Sequence, residues 1–314
     1  MRGASRLQLT LAVPRTLATA AVLVLGCGGK ATTPAEQPLC RITTSIAGNK
    51  PLADRSLPAP FWFSLLVRGY TSTGAIARPS RDCEGELAAW PADACAADAK
   101  VTPLEPEPLG DRDLVVSHLG DGRRLVWAQT DHFTNGEAVG PVALAVFDAR
   151  GVSVTTLGVL RAYGSRAQLR LERLGEGTIL VAEGEACADE RDARTCVRGI
   201  RLVPVGKRRF VPLDLSDQGG RCMGRAFFPL RLEGTVGRKT YRVQSSVNLT
   251  KDAVTVQEQL TIGEVSAGAG SADAMASAVA RMTSERHIRL AGGRLVADEP
   301  SLLDQWAKKQ KAAE

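Results

Sequence analysis

The chain has 314 residues and a formal net charge of +6, from 40 Lys and Arg residues against 34 Asp and Glu. Three of these positive charges lie in the first 26 residues, which contain Arg2, Arg6 and Arg15 and no acid. The remaining charge is modest, basic residues cluster only at Lys207–Arg209, and aromatic residues make up 4% of the chain. Composition therefore excludes a broad basic or stacking surface for nucleic acid, and we expect no nucleic-acid partner.

The amino terminus has the pattern of an export signal. Its arginines precede a short apolar run from Leu17 to Leu25, which is the order of charged and apolar regions in a signal peptide. The run is shorter than the roughly 20 residues that a helix needs to cross a bilayer. Residues 1–26 are therefore predicted to be a signal peptide.

The run ends in Val24-Leu25-Gly26-Cys27, which resembles the lipobox of bacterial lipoproteins. The resemblance implies that the chain is cut before Cys27, which then receives a diacylglyceryl thioether. Gly28 occupies the position where this family uses Asp to keep a protein at the inner membrane, so the resemblance implies an outer-membrane lipoprotein that contacts the membrane through its lipid. The alternative is an ordinary signal peptide cut nearby, with Cys27 unmodified. The resemblance is confined to the signal region.

The cysteine count agrees with lipidation. The chain has seven cysteines, and an odd number leaves one thiol over in an oxidising compartment. With Cys27 lipidated, six remain, which suits a disulfide framework in the envelope. The shortest loops favour the pairs Cys83–Cys95 and Cys187–Cys196, which leaves Cys40 with Cys222. A structural zinc site is the alternative, but the chain has no C-x-x-C pair and its three histidines are scattered, so we expect neither a metal nor a cofactor.

These features divide the chain into four parts. Residues 27–39, with their Gly, Thr and Pro content, are predicted to be the lipidated cysteine and a flexible tether. Residues 40–265 are predicted to form a disulfide-stabilised β domain, and residues 266–314 a helical tail packed on it. At the start of the domain, the run FWFSLLV at 61–67 is predicted to be a buried strand, because it is rich in aromatic and branched residues.

The middle of the chain repeats a strand–turn–strand pattern. Asp121-Gly122 is a strong hairpin signal, a second pair surrounds 149–151, and two further pairs follow. Placing Leu119–Gly122 over Leu174–Gly177 gives an offset of 55 residues, the size of a four-stranded propeller blade. Two such units are too few for a propeller, so two meanders in a sandwich or open barrel are favoured. We predict a mainly β fold, either an antiparallel β-sandwich or an open barrel with propeller-like meanders, with a short α-helical C-terminal tail.

The last third of the chain is predicted to contain helix as well as strand. Residues 241–258 alternate apolar and polar side chains, as expected of strands with one face in water. Beyond residue 265, a helix beginning at Ser271 is predicted to face inward through Met275, Val279 and Met282, which are spaced by four and three. A small hairpin is predicted around Gly292-Gly293.

The final helix is predicted to begin at Pro300-Ser301. Ser301 and Asp304 have the spacing of a capping box. Leu302, Leu303 and Trp306 are predicted to dock this helix on the body of the protein.

Few residues of the chain are candidates for catalysis or metal binding. His132 lies in TDHFTNGE beside Asp131, with Glu137 nearby, so this loop is the candidate for a general base or metal site, although the same residues also fit a solvated turn. His118 is predicted to lie in a strand and His287 at the end of the tail helix, both structural or solvent-facing. No Gly-x-Ser-x-Gly elbow occurs.

Three functions remain open. The leading hypothesis is a lipid-anchored envelope protein that is not an enzyme and that binds, scaffolds or assembles an envelope protein or cell-wall partner. The second is an envelope hydrolase with a loop-borne site at His132 and Asp131. The third is a calcium-stabilised surface module using the acidic loop residues Glu185, Asp189, Glu190 and Asp192.

Overall fold

Strand dominates the molecule, at 58% against 9% for helix, so the mainly β prediction is confirmed. The computed structural model describes residues 37–43, 56–91, 101–148, 151–188, 196–236, 239–264 and 279–313. The predicted signal peptide, Cys27 and most of the tether lie outside these residues. All elements below belong to one compact unit, Pro38–Glu314.

The elements follow the chain as a series of hairpins. The first ten strands are β1 Cys40–Thr43, β2 Leu114–His118, β3 Arg124–Ala128, β4 Asp131–His132, β5 Glu137–Asp148, β6 Gly151–Tyr163, β7 Ser165–Leu174, β8 Gly177–Cys187, β9 Cys196–Val205 and β10 Arg209–Phe210. The remaining strands are β11 Leu215–Ser216, β12 Cys222–Gly224, β13 Phe227–Pro229, β14 Arg231–Val236, β15 Lys239–Leu249, β16 Val254–Glu264, β17 Ala280–Ala291 and β18 Arg294–Ala297. Two α-helices, α1 Ala59–Leu66 and α2 Leu302–Ala313, and a short 3-10 helix, Asp111–Asp113, complete the described elements. Among the described residues, neither helix has the length and apolarity needed to span a bilayer.

The first sheet has eleven strands and curls on itself. Its main path runs β2-β3-β5-β6-β10-β9-β8-β7, and β1, β4 and β13 pair beside it. The pairing is antiparallel except between β6 and β10. The Leu169 amide of β7 donates to the Ser117 hydroxyl of β2 at 3.0 Å, so the two ends of the path meet. The result is a barrel-like curled sheet.

The weak 55-residue match has a structural counterpart. The turn at Asp121-Gly122 joins β2 to β3, and the turn at Gly175 joins β7 to β8. Each turn opens a meander, β2-β3-β5-β6 in one case and β7-β8-β9-β10 in the other. The two meanders lie side by side in one sheet and do not form separate propeller blades.

The first sheet is covered on both faces, which explains its nearly continuous apolar strands. Leu125 and Trp127 of β3 point into the interior of the curl, while Val126 and Ala128 alternate outward. Helix α1 packs on that outer side through Trp62.

Helix α1 contains the run that was predicted to be a strand, and that prediction is wrong. Periodicity cannot separate a buried helix from a buried strand in a short run that is apolar except for one residue, here Ser64. Pro60 lies in the first turn, where proline is tolerated because the amide has no intrahelical partner.

The second sheet has seven strands in the order β12-β11-β18-β17-β16-β15-β14. One face packs on the outside of β8 and β9, where Val254, Val256 and Ile288 meet Ile179 and Leu202. The other face is open and polar. The predicted alternation over 241–258 and the hairpin at Gly292-Gly293 are confirmed.

The C-terminal segment contains strand as well as helix. The predicted helix through Met282 is wrong, because Met282 lies in β17 opposite Leu260. Residues 282, 284, 286 and 288 are the less exposed ones of this strand, a period of two. Val279 is exposed, and Ser271 and Met275 lie outside the described residues.

The final helix is confirmed as predicted. The Asp304 amide donates to the Ser301 hydroxyl at 3.1 Å, and that hydroxyl donates to the Asp304 carboxylate at 2.6 Å. Leu302 and Trp306 are buried against Leu260 and other side chains of the second sheet.

The disulfides confirm one predicted pair and correct another. Cys187–Cys196 joins facing residues of β8 and β9. Cys40 bonds to Cys83, so the pairs Cys83–Cys95 and Cys40–Cys222 are wrong. Cys40 and Cys83 both pack against the cluster around α1, so proximity across the fold decided this pairing, not the shortest loop. Cys222 is also disulfide-bonded.

Candidate functional site

One end of the curled sheet opens into a cavity of about 730 Å³. We call it the mouth cavity. It lies where β3, β6 and β8 end and where β5 and β7 begin. The residues that line it include Asp131, His132, Glu137, Ser165, Arg166 and Glu185.

An extended strap, residues 101–109, forms one wall of the mouth cavity. Its Leu104 amide donates to the His132 carbonyl at 2.8 Å, and the Thr134 amide donates back to the Thr102 carbonyl at 3.0 Å. At its far end the Leu109 amide donates to the Gly74 carbonyl at 2.9 Å. Three prolines limit the backbone freedom of the strap. The wall is therefore anchored at both ends.

His132 lies in the mouth cavity with an orienting partner. Its Nε2 is 3.0 Å from Asp113 Oδ1. Asp113 is buried, and its other oxygen accepts the Gly110 amide at 2.8 Å. The His132 side chain is 38% exposed, and no hydrogen bond to its Nδ1 is found among the described residues. The carboxylate fixes the ring and leaves the second nitrogen open.

Asp131 is not the partner of His132. The two residues are consecutive in β4, and successive side chains of a strand point to opposite faces. Asp131 forms an ion pair with Arg78 and accepts hydrogen bonds from Ser80 Oγ at 3.1 Å and Thr130 Oγ1 at 3.0 Å. Asp131 therefore anchors the wall. Sequence reasoning missed Asp113, which lies 19 residues from His132, and no spacing rule connects them.

A buried charge cluster lies at the floor. The Glu137 side chain is fully buried, and its carboxylate accepts Arg161 at 2.6 Å and Arg225 at 3.0 Å. Asn135 donates to it at 3.1 Å, and Arg201 lies 3.7 Å away. Burial raises the pKa of a carboxyl, but the charges of Arg225 and Arg161 and the Asn135 hydrogen bond outweigh it. The pKa of Glu137 therefore lies below its ordinary value, and the group is ionised.

Tyr163 is buried beside this cluster and does not line the mouth cavity. Burial and the Glu137 charge raise the pKa of Tyr163 to about 12. Its ring meets the edge of Phe227 with centroids 4.9 Å apart. A Cβ at Gly184 would collide with the Tyr163 carbonyl oxygen. The phenol is therefore a neutral, packed group and not a base.

Arg166 has an unusual backbone on the rim. Its φ is 48°, and the left-handed region costs a non-glycine residue about 1–2 kcal/mol. The register of β7 against β8 shifts here, so that Arg166 and Ala167 lie opposite Gly184 alone. This is a β-bulge, a device that re-aims side chains near functional sites. Arg166 Nη1 contacts Glu185 Oε2 at 3.0 Å.

The Cys187–Cys196 disulfide stands on the same rim. Ligand atoms of Glu185, Cys187 and Cys196 lie within 4.8 Å of one another, but the two sulfurs are bonded to each other and offer no thiolate. Of the acidic residues suggested for calcium, Glu185 is paired with Arg166. The other three, Asp189, Glu190 and Asp192, lie outside the described residues.

The other histidines lie elsewhere. His118 is at the exposed end of β2. His287 lies in β17, not at a helix end as predicted, and its Nδ1 is 3.1 Å from Asp298.

Comparisons with known proteins return nothing: no family model, no curated protein and no solved structure matches this chain.

Proposed function

We propose that this protein is a lipid-anchored component of the cell envelope that binds a ligand in the mouth cavity and performs no chemistry on it. The observation that carries the binding role is the cavity itself, a concave site at the open end of a rigid sheet. Such mouths are frequent ligand sites. The polar side chains around it are already held by one another, for example Asp131 by Arg78 and Glu137 by Arg161. A preformed surface of this kind favours recognition.

The anchor rests on the lipobox resemblance and has its own test. In a bacterial host fed labelled palmitate, the wild type incorporates label and Cys27→Ser does not. The wild-type mass equals residues 27–314 plus acyl chains. Equal labelling of both proteins, or an unlipidated wild-type mass, contradicts the anchor and leaves the binding role to be judged separately.

The binding role is tested by filling the cavity. Thr134 lines the cavity and is exposed, so Thr134→Trp adds bulk there without disturbing the core. Thr283→Trp makes the same change on the exposed face of β17. Native mass spectrometry of protein purified from bacterial envelopes is expected to find a bound ligand on the wild type and on Thr283→Trp, and none on Thr134→Trp. The same bound mass on Thr134→Trp would exclude the mouth cavity as the site.

A second candidate function is hydrolysis, favoured by the 3.0 Å contact between His132 and Asp113. A carboxylate that orients an imidazole in a cavity is the arrangement of a general base. In this role His132 Nδ1 would take the proton of an attacking water. His132→Gln would then abolish turnover of peptidoglycan or phospholipid substrates while binding persists, with His287→Gln as the matched control. Unchanged turnover in His132→Gln would remove this candidate.

A further inference from the structure

Arg166 holds a conformation that its own side chain disfavours. Among the described residues, it is the one non-glycine residue with positive φ. It occupies the first position of a bulge, and where that position is left-handed the residue is usually glycine. Strained residues persist where the surroundings fix them, and they cluster at ligand sites. The arginine side chain therefore has a role that a glycine would not supply.

The guanidinium of Arg166 is only partly engaged. Nη1 donates to Glu185 at 3.0 Å. The edge formed by Nε and Nη2 has no hydrogen-bond partner among the described residues, and the side chain is 53% exposed. This edge is the fork that matches two oxygens of a carboxylate or phosphate.

The other arginines that line the mouth cavity differ from Arg166. Arg112 donates to Glu107 through Nη2, and its Nε lies 3.7 Å from Asp113, so both atoms of its fork are engaged. Arg78 contacts its acid through Nη1 alone, as Arg166 does, but its side chain is 29% exposed against 53% for Arg166. Arg166 is thus the more exposed of the two lining arginines whose Nε–Nη2 edge has no partner among the described residues.

Most carboxylates of the cavity are held by other groups, which weakens their opposition to an anion. Three of the lining acids pair with arginines other than Arg166, namely Glu107, Asp131 and Glu137. Asp113 contacts His132 and lies 3.7 Å from Arg112, and Glu185 is the partner of Arg166 itself. Glu105 is the remaining one and is exposed.

We infer that Arg166 binds an anionic oxygen group, a carboxylate or a phosphate, of the ligand that occupies the mouth cavity. The inference rests on the proposed binding function and assigns the ligand's chemical class. The bulge re-aims the guanidinium, and Glu185 holds it in place through Nη1.

The test titrates the processed protein with four probes, acetate, inorganic phosphate, methylammonium and glucose, and follows the backbone amides by NMR. Acetate or phosphate is expected to shift the amides of residues 164–166, and the stronger of the two distinguishes a carboxylate from a phosphate ligand. Arg166→Gly is expected to raise the dissociation constant of that anion at least tenfold, and Arg166→Lys less, because it keeps the charge without the fork. Arg123→Ala is the matched control: Arg123 also pairs with an exposed acid, Asp121, but does not line the cavity.

Each outcome decides the inference. Unchanged anion affinity in Arg166→Gly overturns it, and so does the absence of any shift with both anions. If methylammonium or glucose shifts these amides while both anions fail, the inference is wrong and the binding function stands. If none of the four probes shifts them, both fail. A melting temperature of Arg166→Gly at or above that of the wild type shows that any loss of binding is not unfolding, because glycine suits the left-handed backbone.

Discussion

Both sheets are mainly antiparallel, but they differ in how regular the register of their strands is. In the second sheet, β14 to β18 pair without a register shift, and the outer face is a plain array of polar side chains. The first sheet shifts register twice and carries the left-handed Arg166 and the buried Glu137 cluster. The register shift between Ser165 and Gln168 lies at the mouth, and so do Arg166 and Glu137. The second sheet also has one irregularity, between Leu215 and Ser216 of β11, but the bulge that carries a left-handed arginine lies at the mouth. This bulge therefore distinguishes the end of the first sheet at which we propose that a ligand binds.

The same contrast holds for buried charge. Glu137 at the mouth is shared by Arg161 and Arg225, with Arg201 close by. In the second sheet, Glu258 has one guanidinium partner, Arg286 at 3.0 Å, and its other oxygen accepts the Leu302 amide at 2.8 Å. The first cluster fixes a cavity floor, and the second fixes the start of α2.

Glu137→Gln is expected to be the most damaging change. It removes the carboxylate that buried guanidiniums share, and breaking a buried ion pair costs about 3–5 kcal/mol. Urea unfolding at pH 7 measures the loss. A loss below about 1 kcal/mol would show that the guanidiniums need no common anion.

The pH dependence of stability provides an independent check on Glu137. Its folded pKa lies below the unfolded value, so the unfolded state binds the proton more readily. The contribution of Glu137 is present above the unfolded pKa, near 4.3, and is lost as the pH falls through the folded pKa. Urea unfolding between pH 5 and pH 3 is expected to show a steeper decline for the wild type than for Glu137→Gln, and parallel curves would contradict the assignment.

Removal of the Cys187–Cys196 disulfide on the rim is expected to have the next largest effect on the free energy of unfolding. The double variant Cys187→Ser/Cys196→Ser opens a loop whose ends are 9 residues apart, and the loop-entropy model gives a loss of about 3 kcal/mol. Thermal unfolding of the oxidised wild type and the variant measures it. If the bridge also shapes the mouth, anion affinity falls in the variant, whereas unchanged affinity would limit its role to stability.

Glu258→Gln tests the supporting sheet and is expected to cost less than Glu137→Gln. The amide can still accept the Leu302 N–H, but Arg286 loses the charge of its buried partner. We therefore expect a loss at the lower end of the range for a broken buried ion pair, about 3 kcal/mol. Hydrogen exchange is expected to speed up at the start of α2 and to stay unchanged at the mouth. Faster exchange at Gly164 and Ser165 would contradict the separation of the two regions.

The smallest expected effect on stability is that of Arg166→Gly, and it is a gain. Arg166→Gly relieves the left-handed strain and is expected to stabilise the protein by about 1 kcal/mol, net of the extra freedom of glycine in the unfolded chain. Thermal unfolding measures it against Arg123→Ala. A clear destabilisation would mean that the Arg166–Glu185 ion pair, and not ligand binding, accounts for the arginine.

The sequence predicts what local patterns encode. Asp121-Gly122 and the alternation of 241–258 gave correct hairpins and strands, and Ser301 with Asp304 gave a correct helix start. Sequence reasoning failed at 61–67, because an apolar run suits either a helix or a strand. It failed again at Met282, because the spacing of four and three that ends at this residue predicts a helix, whereas the residue lies in β17.

The site was predictable only in part. His132 was found because a polar loop between strands is a common place for function. Its partner Asp113 and the Cys40–Cys83 bridge depend on contacts between distant segments, which no local pattern carries. The bulge at Arg166 also gave no signal, because glycine is the residue expected there.

The most direct test of the account is a crystallographic soak of the processed wild-type protein with a panel of small polar fragments. The account predicts that bound fragments concentrate in the mouth cavity, and that acidic fragments lie within hydrogen-bond distance of Arg166. Fragments that concentrate on the open face of the second sheet, or a mouth cavity that binds none of them, would contradict the assignment of function to the irregular end of the first sheet.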